Sequence, residues 1–246
     1  MKIVKGGRSL YGHAIGILVL ETTYPAVPGN VANASTYNFP VRYKVLEGIP
    51  SDWWCDAEGA SERRQDIFIE KARELEKEGV RAITTGCGFF AKYQQATSNA
   101  LTIPVFTSPL LLVPMVSKMI GDKKRVGIIT AGENHLKGPF LENVGIDSSV
   151  SIAVDGMVDM EEFSQTIVFE KKTEMDVSKV EAEVIDVAKR LVAKHPDIGA
   201  LVFECSDLPP FAKAVQTEIN LPVFDFISLI NMVYSAVVKK PYPGFM

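Results

Sequence analysis

Apolar and polar positions alternate between two rhythms along the chain. Ala14 to Leu20 is a continuous apolar run and predicts a buried strand, while Val41 to Leu46 (VRYKVL) alternates and predicts a second. Ser61 to Glu78 carries a helical period, with Ile67, Ile69, Ala72 and Leu75 on its apolar face, Ser61 as N-cap and Gly79 as stop. A strand Val80–Thr85, a turn around Cys87, a helix over Phe90–Asn99, a strand Pro104–Thr107 and a helix Leu110–Ile120 follow. The order then starts again. Arg125–Thr130 and Val150–Val154 predict strands, Val177–Lys194 a long helix, and Gly199–Glu204 a strand running into Cys205. After a further helix come a strand Pro222–Phe226 and a helix Leu229–Val238.

Alternating β and α elements imply parallel sheets covered by helices. The restart is also visible letter by letter. Sixteen residues separate Cys87 from Pro104, and sixteen separate Cys205 from Pro222. Ile103–Phe106 (IPVF) matches Leu221–Phe224 (LPVF), and Gly16-Ile-Leu matches Gly127-Ile-Ile. The chain therefore reads as two similar α/β lobes. Between the first two strands, Glu21–Phe39 is rich in Pro, Gly and Asn and has little periodicity. It follows the first strand at the carboxyl edge, where open α/β sheets bind ligands.

Composition narrows the function classes. The 246 residues are 47% hydrophobic and 23% charged, the profile of an ordinary globular protein. A net charge of −4 offers no general attraction to nucleic acid or anionic membrane. The apolar runs are too short to span a bilayer, and the N-terminus lacks the long apolar segment of a secretory signal. Cys55, Cys87 and Cys205 are too few and too unevenly numbered for a disulfide framework, so a cytoplasmic location is expected. His13, His135 and His195 are scattered, and none pairs with a cysteine at metal-ligand spacing, so no metal site is expected.

Cys87 and Cys205 carry the chemistry. Each follows an apolar strand and precedes a helix, at equivalent points of the two repeats. Helix-start N–H groups are expected to lower a thiol's pKa and to hold an anion. A rival reading uses the same letters: Gly86-Cys-Gly-Phe-Phe-Ala91 fits the dinucleotide pattern G-x-G-x-x-A. It lacks the acidic residue expected about twenty positions on, and Phe89 and Phe90 would crowd a pyrophosphate. There is no G-x-S-x-G elbow and no phosphate-binding P-loop. His135, just after the fifth strand, reads as a surface or capping residue. Cys55 reads as structural, Trp53 and Trp54 as a lid, a subunit contact or core cover, and Arg42, Arg63 and Arg64 as surface charge.

Thr85-Gly-Cys87-Gly and Glu204-Cys205-Ser206-Asp207, with Gly127–Thr130 and the loop from Glu21, resemble the aspartate/glutamate/hydantoin racemase superfamily over nearly the whole chain. The resemblance implies two flavodoxin-like lobes with mainly parallel sheets, related by pseudo-two-fold symmetry, with the active site in the cleft between them. It implies a first lobe of residues 1–107 plus 226–246 and a second of residues 108–225, the last helix packing back on the first lobe. It implies no cofactor, and a homodimer is common in that superfamily. The amino-acid racemases carry Cys-Asn-Thr where this chain has Cys87-Gly88-Phe89, and Gly-Cys-Thr where it has Glu204-Cys205-Ser206. Losing Asn and Thr beside Cys87 argues against aspartate or glutamate as the substrate.

The expected activity is cofactor-independent racemisation or epimerisation at the carbon next to a carboxylate or related carbonyl, of amino-acid or hydantoin type. One thiol takes the proton and the other returns one to the opposite face. Donors for the carboxylate would come from the N–H groups of Gly88 and Ser206 and the hydroxyls of Thr22, Thr23, Thr85, Thr130 and Ser206. Tyr24 would line the cleft. The scaffold also accommodates cis–trans isomerisation or decarboxylation of a small dicarboxylate. Outside enzymes, two lobes around a cleft also describe a small-ligand binding module.

Overall fold

In the computed structural model, residues 3–4, 6–50, 53 and 61–246 are described. Among them, eight strands form two four-stranded sheets. The first holds β1 (Ile15–Leu20), β2 (Val41–Leu46), β3 (Ala82–Thr85) and β4 (Val105–Phe106) in the order β2-β1-β3-β4. The second holds β5 (Arg125–Thr130), β6 (Ile152–Gly156), β7 (Ile198–Phe203) and β8 (Val223–Phe224) in the order β6-β5-β7-β8. Every strand pair is parallel. The helices are α1 (Ser61–Glu78), α2 (Gln94–Ala100), α3 (Val113–Ile120), α4 (Pro139–Glu142), α5 (Glu161–Phe163), α6 (Val177–Lys194), α7 (Ala212–Ile219) and α8 (Phe226–Val237). The two lobes thus repeat one topology, as the restart in the sequence implied, and α8 packs against β3 of the first sheet.

The matched prolines have matched work. A proline cannot donate to a ladder, but its carbonyl can accept. Ile83 N–H donates to the Pro104 carbonyl at 3.0 Å, and Leu201 N–H donates to the Pro222 carbonyl at 2.8 Å. Each proline opens a two-residue edge strand, and so fixes the register of the strand that runs to each cysteine.

The long helices form as their periodicity predicts, with one shift. In α1 the buried stripe is Phe68, Ala72 and Leu75, while Ile67 and Ile69 flank it half-buried. Phe68 lies at the i, i+4, i+7 spacing that faces the sheet, and its neighbours straddle that line. The expected capping role of Ser61 falls on a side chain outside the described residues, as do the readings of Cys55 and Trp54. In α6, the Asp176 carboxylate accepts from the N–H groups of Ser178 and Lys179, and Val180, Val184, Val187, Ala188 and Leu191 are buried. The segment after β6 differs from any sequence expectation. A turn of α5 runs into a π-helical turn, Ser164–Val168, closed by the Phe169 N–H donating to the Ser164 carbonyl at 2.9 Å.

Strand direction places the site. The carboxyl ends of β1 and β3 are neighbours where the chain order reverses, which makes a crevice at that edge. The same holds for β5 and β7. These two edges meet, so the segments after β1, β3, β5 and β7 share one space. Leu191 is fully buried on α6 over the second sheet. Leu191→Ala is expected to lower the free energy of unfolding by about 2–5 kcal/mol, read by urea titration.

Candidate active site

Cys87, Cys205, Tyr24, Asn30, Glu204, Ser206 and Asp207 line a single pocket between the lobes, with a free volume of about 50 Å³. Val19, Leu20, Ala131, Ile167, Val168 and Phe89 give it apolar walls. Among the described lining residues there are two carboxylates and no Lys, Arg or His. His135 and Arg42 lie elsewhere, Arg42 paired with Glu78 at 2.6 Å.

Asp207 is the hub. Its Oδ1 accepts from Asn30 Nδ2 at 2.5 Å, and its Oδ2 accepts from the Tyr24 hydroxyl at 3.1 Å, both from the other lobe. Oδ2 also accepts from the Cys205 thiol at 3.5 Å and lies 3.4 Å from Ser206 Oγ. The loop after β1 holds Asn30 stiffly. Asn30 Oδ1 accepts from Ala32 N–H at 2.7 Å, and the Thr36 hydroxyl donates to the Asn30 carbonyl at 2.9 Å. Gly29 permits the approach. Its φ is +100°, and a Cβ there would lie 2.8 Å from the Pro210 Cα of the second lobe.

Of the residues expected in the site, Thr22, Tyr24, Gly88, Ser206 and both cysteines reach the pocket. Thr23, Thr85 and Thr130 are not among its lining residues. Thr23 donates through its N–H and hydroxyl to Glu170 Oε2 at 2.9 and 2.8 Å. That contact bridges the loop after β1 to the segment after the π-helical turn. The Thr85 hydroxyl donates to the Thr107 carbonyl at 2.6 Å and accepts from the Cys87 N–H at 3.3 Å, fixing the cysteine turn from behind. The Thr130 hydroxyl donates to Glu204 Oε2 at 2.8 Å. The Ser206 hydroxyl reaches the pocket, but it donates to the Gly86 carbonyl at 2.7 Å and ties the two cysteine turns together. Sequence reasoning missed Asn30, Asp207 and the buried state of Glu204. The acidic letters on both sides of Cys205 were the available signal.

The electrostatics correct the expectation of acidic thiols. Phe89 N–H and the Trp53 indole favour a Cys87 thiolate, and Asp207 N–H favours a Cys205 thiolate. Burial outweighs them. It pushes the Cys87 thiol up, with the Glu204 charge adding to the effect, and it pushes Cys205 well up, with Asp207 and Glu204 adding. Burial also raises the Tyr24 phenol and the Asp207 carboxyl, the latter against the pull of the Cys205, Asn30 and Tyr24 donors. Burial lifts Glu204 from 4.5 to about 8, with the Thr130 hydroxyl and the Ala131 N–H opposing and the Asp207 charge helping. Trp53 is itself buried, stacked on Phe90 with ring centroids 4.8 Å apart, which answers its role as core cover.

The fold and the pocket define a class: a two-lobed α/β protein with a cysteine after the third strand of each lobe. Solved structures share that fold across almost all of the chain. A cysteine-substituted mutant of arylmalonate decarboxylase matches with a TM-score of 0.60 at 17% identity, covering 94% of this chain and 96% of that one. A glutamate racemase from Bacillus anthracis matches with a TM-score of 0.60 at 15% identity, covering 93% and 85%. Allantoin racemase from Klebsiella pneumoniae gives 0.60 at 17%, covering 91% and 87%. The fold is therefore that of the aspartate/glutamate/hydantoin racemase superfamily. No family model matches the chain. Curated relatives are nearer in sequence. A dimethylsulfoniopropionate lyase of Durusdinium sp. clade D is 31% identical over 237 residues, 94% of this chain and 77% of that protein. Dimethylsulfoniopropionate lyase 7 of Emiliania huxleyi is 30% identical over 240 residues, 94% of this chain and 69% of that protein. The chain belongs to this family of proteins, named for dimethylsulfoniopropionate lyase. No described helix is long and apolar enough to cross a membrane.

Two outcomes test the electrostatics. Because both thiols are held protonated, iodoacetamide at pH 7 should alkylate Cys87 and Cys205 more slowly than a free cysteine, the rate climbing with pH; mass spectrometry of the labelled peptides reads this. Between pH 4.5 and about 8 the native chain keeps a proton on Glu204 that the unfolded chain has lost. Stability is then full below that window and falls as pH rises through it. Glu204→Gln should flatten this fall in urea midpoints measured across the window.

Proposed function

We propose that this protein is a lyase that removes a proton next to a carboxylate and expels a leaving group from the adjacent carbon, with dimethylsulfoniopropionate as the substrate. The Cys205–Asp207 pair carries the reading: a thiol that already donates to a buried carboxylate has somewhere to send its proton. The names of the curated relatives supply the substrate.

Cys205 passes its proton to Asp207 and becomes a thiolate. The thiolate takes the α-proton of the substrate. The electron pair of that C–H bond becomes the carbon–carbon double bond, and the carbon–sulfur bond breaks with its pair going to sulfur. Neutral dimethyl sulfide and acrylate leave, and Asp207 returns its proton to solvent. Burial raises the thiol's pKa, and so raises the basicity of the thiolate once it forms, which suits a weakly acidic carbon. The positive sulfonium entering a buried pocket favours thiolate formation at that moment. Backbone N–H groups at the two cysteine turns are the donors available to the carboxylate, with Tyr24 and Asn30 holding Asp207 in place.

Racemisation is the second reading, supported by the presence of both thiols in one pocket. Elimination needs one base, whereas racemisation needs both cysteines. Purified protein given dimethylsulfoniopropionate should release dimethyl sulfide, read by gas chromatography. Cys205→Ser should lower that rate by at least about 100-fold, and Cys87→Ser by much less. No dimethyl sulfide, together with loss of optical rotation and α-deuterium uptake from a chiral acid that needs both cysteines, would replace the lyase reading with the racemase one.

A further inference from the structure

Glu204 is the buried acid that the elimination leaves unused. Its side chain is wholly buried, and it belongs to the pocket lining. One oxygen, Oε2, is held by the Thr130 hydroxyl at 2.8 Å. The other, Oε1, is buried with no hydrogen-bond partner among the described residues. The chain makes room for this group. A Cβ on Gly88 would collide with the Glu204 backbone carbonyl and with Oε1 itself, so only glycine at 88 admits the carboxyl where it stands. A buried oxygen without a partner is costly, and a native structure keeps one where something else meets it.

The surroundings say what could meet it. The titratable groups around the pocket are Cys87, Cys205, Asp207 and Tyr24, all neutral or negative in their ordinary forms, and no described lining residue is cationic. A second carboxylate on a ligand would face two protein carboxyls and find no counter-charge. A cation would find Glu204, Asp207 and the Tyr24 ring.

We propose that Glu204 is the specificity-determining counter-charge for a small onium acid, its carboxyl losing its proton as the ligand's cation enters the pocket. This rests on the lyase reading for the placing of such a ligand in this pocket. The released proton goes to solvent, and the ion pair that forms replaces a neutral acid with an unmet oxygen. The rest state supports it: at pH 7 an acid titrating at about 8 is mostly protonated, and a nearby cation lowers that value. Onium binding then tightens as pH rises toward about 8, because less work is needed to ionise Glu204, and proton release fades above it.

The test uses binding rather than turnover. The probes are β-alanine betaine, an onium acid with a poor leaving group, and 4,4-dimethylpentanoate, its uncharged isostere, titrated calorimetrically into the full chain at pH 7. The betaine should bind at least about tenfold tighter and release close to one proton, seen as a heat that depends on the buffer's ionisation enthalpy. Glu204→Gln should abolish the release and bring the two probes within about threefold of each other. Equal binding of the probes, or no binding of either, overturns the proposal. So does a betaine preference that Glu204→Gln keeps, which would assign it to Asp207. If that variant does not fold, the buffer series on the unmodified chain still decides, since tight betaine binding without proton release is fatal to it. Dimethyl sulfide release measured on the same sample separates the two readings. Release without onium preference removes this inference and leaves the lyase, and onium preference without release does the reverse.

Discussion

The Asp207 carboxylate is the interaction on which the site depends. It follows the second cysteine on one lobe, and two of its hydrogen bonds come from the other lobe, from Tyr24 and Asn30. Hydrogen bonds to a charged group contribute about 1.5–3 kcal/mol each, and a buried carboxylate stripped of them would be strongly destabilising. The bonds therefore hold the lobes at one separation. They also pin the loop after β1 over the pocket and give Cys205 a fixed acceptor at 3.5 Å. The Ser206–Gly86 bond adds a direct tie between the two cysteine turns. With the Gly29–Pro210 approach and the Thr23–Glu170 bonds, these cross-lobe bonds join the two strand edges into one cleft.

Closing the cleft has a chemical consequence that runs against the simplest view of a catalytic thiol. Helix-start N–H groups lower a thiol's pKa where water and positive charge help. Here the Phe89 and Asp207 N–H groups are present, but the thiols are buried and their charged neighbours are acidic, so both are pushed up. At rest both thiols and Glu204 are pushed toward their protonated forms, with Asp207 as the hydrogen-bond acceptor among them. The site's reactivity must then be called up by a ligand rather than stored in a standing thiolate. A positively charged ligand is the kind that does this, because its field favours deprotonation of every acid around it.

Much of the architecture was legible in the sequence. Strand and helix rhythms, the matched Cys–Pro spacing and the repeated IPVF/LPVF letters follow from backbone rules that act locally: a proline that accepts but cannot donate, a strand that ends where a helix starts. Both cysteines and Tyr24 were legible for the same reason, being tied to strand ends. Thr23, Thr85 and Thr130 were not separable from true lining residues. A hydroxyl at a strand end serves the backbone as readily as a ligand, and only the partner, Glu170, the Thr107 carbonyl or Glu204, decides. Asn30 was hidden because it acts from an aperiodic loop across 177 positions of chain. The π-helical turn at Ser164–Val168 was hidden because it is shorter than any period that could announce it, yet it delivers Ile167 and Val168 to the pocket wall.

Gly88 and Glu204 are best understood as one feature written in two places. Taken singly, a glycine after a strand-end cysteine reads as backbone freedom, and a glutamate before one reads as a strand's last polar residue. In space they exclude each other's alternatives: the carboxyl occupies the volume that any side chain at 88 would need. A site that held its ligand through side chains beside the first cysteine would want a polar group at 88 and a small residue at 204. This chain has the reverse. The polar group beside the pocket is therefore carried by the second cysteine turn and not by the first. The two-thiol frame is compatible with either arrangement. In this pocket the acid that fills the space beside Gly88 is buried, and burial favours its protonated form.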